Sequence, residues 1–458
     1  MELPRRPTWS LLALLVVAFS LRLAAGWWWQ SRLPDGERFR FGDSQSYWVL
    51  GQCLVHGEPY EYGADNRVFR TPGYPALLAA LFYTLGTDNP PVMWARGLSA
   101  LCGTLAVGGV VWLAAQWFGW RGGMAAGWIA AIHPEAIALG TFVLSEAPFC
   151  PLMLLQLNAW QAAATANTRV APPCPAWLWG AVAGVAAGLA TLMRPSWLLF
   201  TPLAMLGVLV GIAWRSRSRP SENATARQSL TAANSRPTWR WTAPLPIALA
   251  TVAGLVFTLA PWWYRNYVVT GEFVLTTLQV GASLYDGMSP QATGASDMQF
   301  VGPAIERLRS LDAQATVPPT ACFEVRLDRY LRDESLEWAR AHPRAVLQLV
   351  GTKLSRMWNI WPNAQEMGGR AGRWLVMLGF VPLVLLTGCG LYRRWGTCGM
   401  AWLAFLPAVY FTLLHVIFVS SIRYRQPALL PLIAWSVGGF VAQYFAAEWP
   451  RVDGRRDA

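Results

Sequence analysis

Apolar runs of about 20 residues recur along almost the whole chain, from WSLLALLVVAFSLRLAAGWWW near the start to ALLPLIAWSVGGFVAQYF near the end. That is the length a helix needs to cross a bilayer core of roughly 30 Å. Composition agrees: 54% of residues are hydrophobic and only 14% charged, where a soluble protein carries about a quarter. The chain reads as an all-α polytopic membrane protein. Its net charge of +12 rests almost wholly on Arg, which in this class points to cytoplasmic loops and anionic headgroups and not to nucleic acid. Seven Cys are scattered without CxxC or Cys/His pairing, so neither a disulfide framework nor a zinc site is expected.

About ten transmembrane helices are expected, near 9–29, 95–118, 122–143, 147–166, 176–193, 196–214, 242–263, 374–392, 399–419 and 427–447. The first lacks a small-residue cleavage site and reads as a retained helix, not a removed signal peptide. Segment 73–88, GYPALLAALFYTLGTD, is short for a span. Counting it as one would put the Arg-rich loop 215–241 outside. Treating it as a re-entrant or interfacial helix leaves Arg5, Arg6, Arg121, 215–241, Arg393, Arg394 and the tail inside, as the positive-inside rule favours. Both termini are then cytoplasmic. The expected organisation is a transmembrane module over 1–263 with a first outer loop at 30–94, a large outer loop over 264–373 with amphipathic helices, and closing transmembrane helices and tail over 374–458. The Ser/Thr/Asn/Arg-rich 215–241 reads as a disordered connector.

Several Arg break the inside bias: Arg70, Arg194, Arg265, Arg423 and Arg425 fall at outer span ends or in the first outer loop, and Arg22 lies in the outer half of the first span. Ionisable groups at membrane depth are costly and usually paired or functional. Guanidinium groups gathered at one depth suit an anion, phosphate above all. Snorkelling or pairing with nearby acids explains any single member equally well. Two acids stand on the same side. Asp43 is in GDSQSYW and Glu146 in TFVLSEAPF. Beside Arg such carboxylates stay ionised and can accept a proton. A helix-start role for Glu146 and a turn role for Asp43 remain open. His133, Glu135 and His415 lie within expected spans as weaker candidates, and Asp286 is either a loop turn or an acceptor contact.

Taken in order, GDSQSYW, RTPGYP, ARGLSALCGTLAVGG, FVLSEAPF, LATLMRPSWLL, APWWYRNYVVTGEF and SSIRYRQPALLPLIAW cover nearly the whole chain. As an ordered set they resemble the GT-C glycosyltransferases of the protein-mannosyltransferase and lipid A aminoarabinose-transferase type. The resemblance implies a GT-C-like helical bundle with outward loops over a cavity. It further implies inverting transfer of a sugar from a polyprenyl-phosphate donor to a lipid, glycan or protein acceptor. Carried over, Asp43 is the general base. The phosphate is bound by Arg chosen from Arg70, Arg194, Arg265, Arg423 and Arg425, and Glu146 orients the acceptor, a basic partner or a metal. Many relatives have Asp-Glu where this chain has Asp43-Ser44, which fits a broader bacterial branch. Tyr47 and Trp48 are sugar-face or interface residues. No metal ligand is assigned and no cofactor is certain, a divalent cation being the one candidate. The resemblance places the chain in a bacterial inner membrane with its active site facing the periplasm or exterior. A transporter or flippase of lipid-linked sugars, and a catalytically inactive relative, are the alternatives; no inverted repeat of the transporter kind is seen.

Overall fold

The computed structural model describes residues 7–63, 66–166, 174–217, 244–314, 320–361, 370–394 and 401–444. The architecture is helical, as a chain in lipid requires when each backbone N–H and C=O must be paired within its own segment. The first third comprises α1 (Pro7–Gln30), α2 (Gly42–His56), α3 (Gly73–Leu85), α4 (Val92–Ile132), α5 (Pro134–Leu139) and α6 (Glu146–Ala166). Then come α7 (Ala176–Met193), α8 (Phe200–Arg217) and α9 (Pro244–Thr270). Four loop helices follow: α10 (Val280–Gly287), α11 (Val301–Gln314), α12 (Phe323–Ala341) and α13 (Pro343–Trp358). The chain closes on α14 (Arg370–Arg394), α15 (Ala401–Ile417) and α16 (Ile422–Tyr444).

The described residues of the ten expected spans fall mostly on helix. Among the described residues, six helices are long and apolar enough to cross a membrane: α1, α4, α7, α9, α14 and α16. One of them is two helices joined at a kink. Gly119, at φ 78° and ψ 175°, interrupts α4, a conformation that only glycine adopts without strain. Beyond it the helix folds back on itself, so that Gly123 lies against Val111 and Ala115, and Gly103 against Gly140. The expected pair 95–118 and 122–143 is therefore a helical hairpin. By contrast α3 has 13 residues, about 20 Å of helix, and packs chiefly on α2. The loop expected at 215–241 lies mostly outside the described residues.

Small residues let the helices approach. In α7, Gly180, Gly184 and Gly188 form one stripe against Ile247, Thr251 and Thr258 of α9. A Cβ at Gly184 would stand 2.1 Å from the Thr251 carbonyl oxygen. With no hydrophobic drive between helices in lipid, such close backbone contact is what holds the pair. Thr251 adds a hydrogen bond to the Gly180 carbonyl at 3.0 Å.

Arg22 does not reach the other arginines. Pro134 has no N–H to give the carbonyl of Ala130, four residues earlier. The buried Arg22 guanidinium supplies that bond at 3.2 Å and also donates to Ala131 O (3.2 Å) and Ala18 O (2.9 Å). It thus closes the frayed end of α4 from the side of α1.

The large loop is docked on the first one. Glu324 of α12 accepts from the amides of Arg67 (2.8 Å) and Val68 (3.0 Å), and the Leu278 amide donates to Val68 O at 3.0 Å. Asp328 accepts from Gly281 N at 2.7 Å, joining α12 to α10. Burial pushes the Glu324 carboxyl up to about 7, against the pull of the two amides.

Replacing Arg22 by Met should orphan the Ala130 carbonyl and cost about 1–3 kcal/mol. A lowered thermal unfolding temperature in detergent is the expected reading, with Arg22→Lys intermediate.

Candidate functional site

Four helix ends and one loop converge at one end of the bundle. Asp43 is in the first turn of α2, Glu146 is the first residue of α6, Arg194 follows the last residue of α7, and Arg423 is in the first turn of α16. Acids at helix starts are favoured by the unpaired N–H groups there. Arg70 comes from the loop before α3, which is held in place by Tyr60 Oη donating to the carbonyls of Arg70 and Thr71 (both 3.2 Å).

These five side chains form an unbroken chain of ion pairs. Arg70 Nη2 meets Asp43 Oδ1 at 2.6 Å, and Arg423 Nη2 meets Asp43 Oδ2 at 3.2 Å. The Nε of Arg423 donates to Glu146 Oε1, and Arg194 Nη1 reaches the same oxygen at 2.7 Å. Arg423 is therefore the bridge between the two acids. Three guanidinium groups against two carboxylates leave the cluster with one net positive charge.

The remaining donors are partly committed. Arg70 Nε donates to Ser46 Oγ (3.2 Å) and Arg194 Nε to Ser196 Oγ (3.1 Å). One terminal nitrogen on each arginine is engaged by no side chain or carbonyl in this set: Nη1 of Arg70, Nη2 of Arg194 and Nη1 of Arg423. Aromatic faces back the cations, with Arg70 5.3 Å from the Tyr47 ring centroid, Arg194 5.2 Å from that of Tyr424 and Arg423 5.7 Å from that of Phe41. Glu146 is fully buried, and its Oε2 has no protein partner. The Asp43 side chain is 36% exposed, so the base candidate is the acid that faces outward. Partial burial works to raise the Asp43 pKa, but the facing Arg70 and Arg423 outweigh it and hold the carboxyl below its usual range.

Other expected site residues lie elsewhere. Arg425 is buried and forms a two-point pair with Glu135 (Nη2–Oε1 2.7 Å, Nε–Oε2 3.3 Å), with its guanidinium 3.7 Å from the centroid of Phe380. Arg265 donates to the carbonyls of Arg67 (2.7 Å) and Tyr60 (3.0 Å), bracing the first loop. Tyr47 is buried, its hydroxyl on Ser145 Oγ at 3.2 Å and its ring under Arg70. That ring therefore supports a cation and has no open face for a sugar. Trp48 packs on Phe82. His415 stacks on Tyr424 with ring centroids 4.1 Å apart. Asp286 accepts from Ser296 Oγ and Asp297 N, the loop-turn reading. Ser46, Ser145, Ser196 and Tyr424 are site residues beyond those expected. Ser46 carries a signal, standing one helical turn after Asp43 on the same face.

Asp43 and Glu146 are each already met by guanidinium groups, and among the described residues no three His, Cys, Asp or Glu converge.

The helical bundle with its docked loops is similar in fold to solved GT-C glycosyltransferases. Residues 70–226, about a third of the chain, match the profile of the family described as dolichyl-phosphate-mannose-protein mannosyltransferase. The chain is similar to the oligosaccharyltransferase of Archaeoglobus fulgidus in its apo form, with 14% identity and a TM-score of 0.56 over 96% of this chain and 51% of that one. The same archaeal enzyme in complex with an inhibitory peptide and a dolichol-phosphate gives 13% identity and a TM-score of 0.53 over 98% and 52%. ArnT from Cupriavidus metallidurans bound to undecaprenyl phosphate gives 16% identity and a TM-score of 0.43 over 94% and 77%. The chain thus spans about half the length of the archaeal structures. No curated protein matches it by sequence.

The low pKa of Asp43 makes a pH prediction. A carboxyl whose folded pKa lies below its unfolded value of about 3.9 stabilises fully above that value, and the contribution is lost as pH falls through the folded pKa. Arg70→Gln removes one lowering charge and should move acid destabilisation to higher pH, read from thermal unfolding across pH 3–6.

Proposed function

We propose that the chain is an inverting membrane glycosyltransferase that moves a sugar from a polyprenyl-phosphate donor to a lipid, glycan or protein acceptor. The observation that carries this reading is the Arg70–Asp43–Arg423–Glu146–Arg194 chain, positive by one charge and with three terminal nitrogens to spare. A lipid-phosphate sugar is a phosphodiester with one negative charge. As the bond from the anomeric carbon to the phosphate oxygen breaks, the departing polyprenyl phosphate takes the electron pair and gains a second negative charge. Guanidinium groups fixed where that charge develops stabilise the transition state more than the ground state.

In this reading Arg70, Arg194 and Arg423 bind the phosphate. Asp43 takes the proton from the acceptor hydroxyl or amine as the acceptor attacks the anomeric carbon from the face opposite the phosphate, inverting it. Glu146 orients Arg194 and Arg423, the basic-partner role among those open to it. Arg265 and Arg425 hold the surrounding structure and do not contact phosphate. The active site faces the periplasm or exterior of a bacterial inner membrane, the side on which the arginines break the inside bias. Arg423 supplies the cation between the acids, so the reaction needs no divalent metal.

Asp43→Asn should lower transfer from a polyprenyl-phosphate sugar by at least about 100-fold and leave lipid-phosphate binding intact. Arg194→Gln and Arg423→Gln should weaken that binding by roughly 10-fold or more, the loss of one charge-assisted hydrogen bond. Full transfer by Asp43→Asn, or binding indifferent to both arginine changes, would refute the assignment. A transporter would move the lipid-linked sugar across reconstituted vesicles without cleaving it. Chelation by EDTA should leave transfer within twofold of the untreated enzyme. Loss restored by added Mg²⁺ or Mn²⁺ would return the metal to the site.

A further inference from the structure

The turn that delivers Arg423, residues 418–421 between α15 and α16, is held by hydrogen bonds to the large loop and to its own neighbours. A helix leaves its last carbonyls unpaired. At the end of α15, Val416 O and Ile417 O accept from the buried Nζ of Lys353 in α13, at 3.1 and 2.7 Å. Ser420 N, which would continue the helix by bonding Val416 O, donates instead to Gly294 O at 2.9 Å. Ser420 Oγ donates to the backbone carbonyl of Lys353 at 2.7 Å. Val419 O is bonded to His415 Nδ1 at 2.7 Å. Gly287 lies flat on the same turn, where a Cβ would stand 2.7 Å from Ile417 O. Four residues beyond the turn, Arg425 Nη1 donates to Met357 O (3.2 Å) and Asn359 O (2.5 Å), at the end of α13.

We infer that Lys353, Ser420 and Arg425 are positioning residues: they fix the start of α16 against α13 so that Arg423 reaches Asp43 and Glu146 together. Two acids on separate helices define where that guanidinium must lie. A shift of the turn by an ångström or so would keep one contact and lose the other. Lys353 touches no residue of the ion-pair chain in the structure's hydrogen bonds and ion pairs, so its effect on the phosphate site passes through Arg423. The large loop is thereby part of the site although it contributes no charge to it. This inference rests on the proposed phosphate role of Arg423.

The experiment is a double-mutant cycle on binding, with the full chain in lipid nanodiscs and decaprenyl phosphate as the probe. Lys353→Met is expected to weaken binding about tenfold at a temperature well below unfolding, and less than twofold when Arg423 is already Gln. Ser420→Ala, which removes only the hydroxyl, follows the same pattern at about threefold, and serves if Lys353→Met does not fold. Unchanged binding in both variants overturns the inference, as does an equal loss in both Arg423 backgrounds. A wild-type protein that binds no decaprenyl phosphate overturns the phosphate reading itself. Binding that Arg423→Gln leaves intact, while Lys353→Met weakens it, retains a phosphate site but moves it away from Arg423.

Discussion

Everything at the functional end of the molecule depends on one guanidinium spanning two carboxylates. Arg423 joins Asp43 of α2 to Glu146 of α6, and its own helix is the last of the bundle. Remove the bridge and a fully buried carboxylate keeps one partner, Arg194, while the exposed one keeps Arg70. A buried charge that loses a partner is a strong destabiliser. The arrangement therefore ties stability and proposed chemistry to the same atoms. It also explains why the acids differ: Glu146 is locked inside between two cations, whereas the Asp43 side chain stays partly exposed.

The scaffold makes that placement possible with ordinary helix physics. Glycine stripes bring α7 and α9 into backbone contact and so set where Arg194 emerges. Arg22 repairs the carbonyl that Pro134 leaves open, so the hairpin of α4 can end in α5 and turn directly into the Glu146 helix. Elsewhere in the core Gln156 accepts from Trp197 Nε1 and donates to Thr201, each at 2.8 Å. Low dielectric makes every such unpaired group expensive and every paired one firm.

Hydropathy alone located the helices, because spanning length is dictated by the bilayer and leaves a mark of some twenty residues. Charge bias separated the arginines worth attention, and Arg70, Arg194 and Arg423 do meet around Asp43 and Glu146. The same bias could not tell them from Arg265 and Arg425. In the expected topology all five fall at outer span ends or in the first outer loop, and what divides them is the identity of the neighbour across the bundle, a long-range fact with no local signature. Arg425 has Glu135, 290 residues away, as its partner. Tyr47 misled for a related reason. An aromatic beside an acid suits a sugar face, but the ring is covered by Arg70, which arrives from another loop. Lys353 gave no signal because an amphipathic helix normally turns its lysines to water, and this one is buried against two carbonyls.

The sequence separation within the ion-pair chain has a consequence for biogenesis. Asp43 is made early and Arg423 arrives 380 residues later, after nearly every other helix. During synthesis the two acids and Arg70 and Arg194 can already be threaded into the bilayer while the bridging cation is still unmade. A nascent chain therefore holds its acids unbridged until α16 is inserted. The five-member ion-pair chain is complete only once α16 is in place, an order fixed by the sequence in which the ribosome delivers the charges.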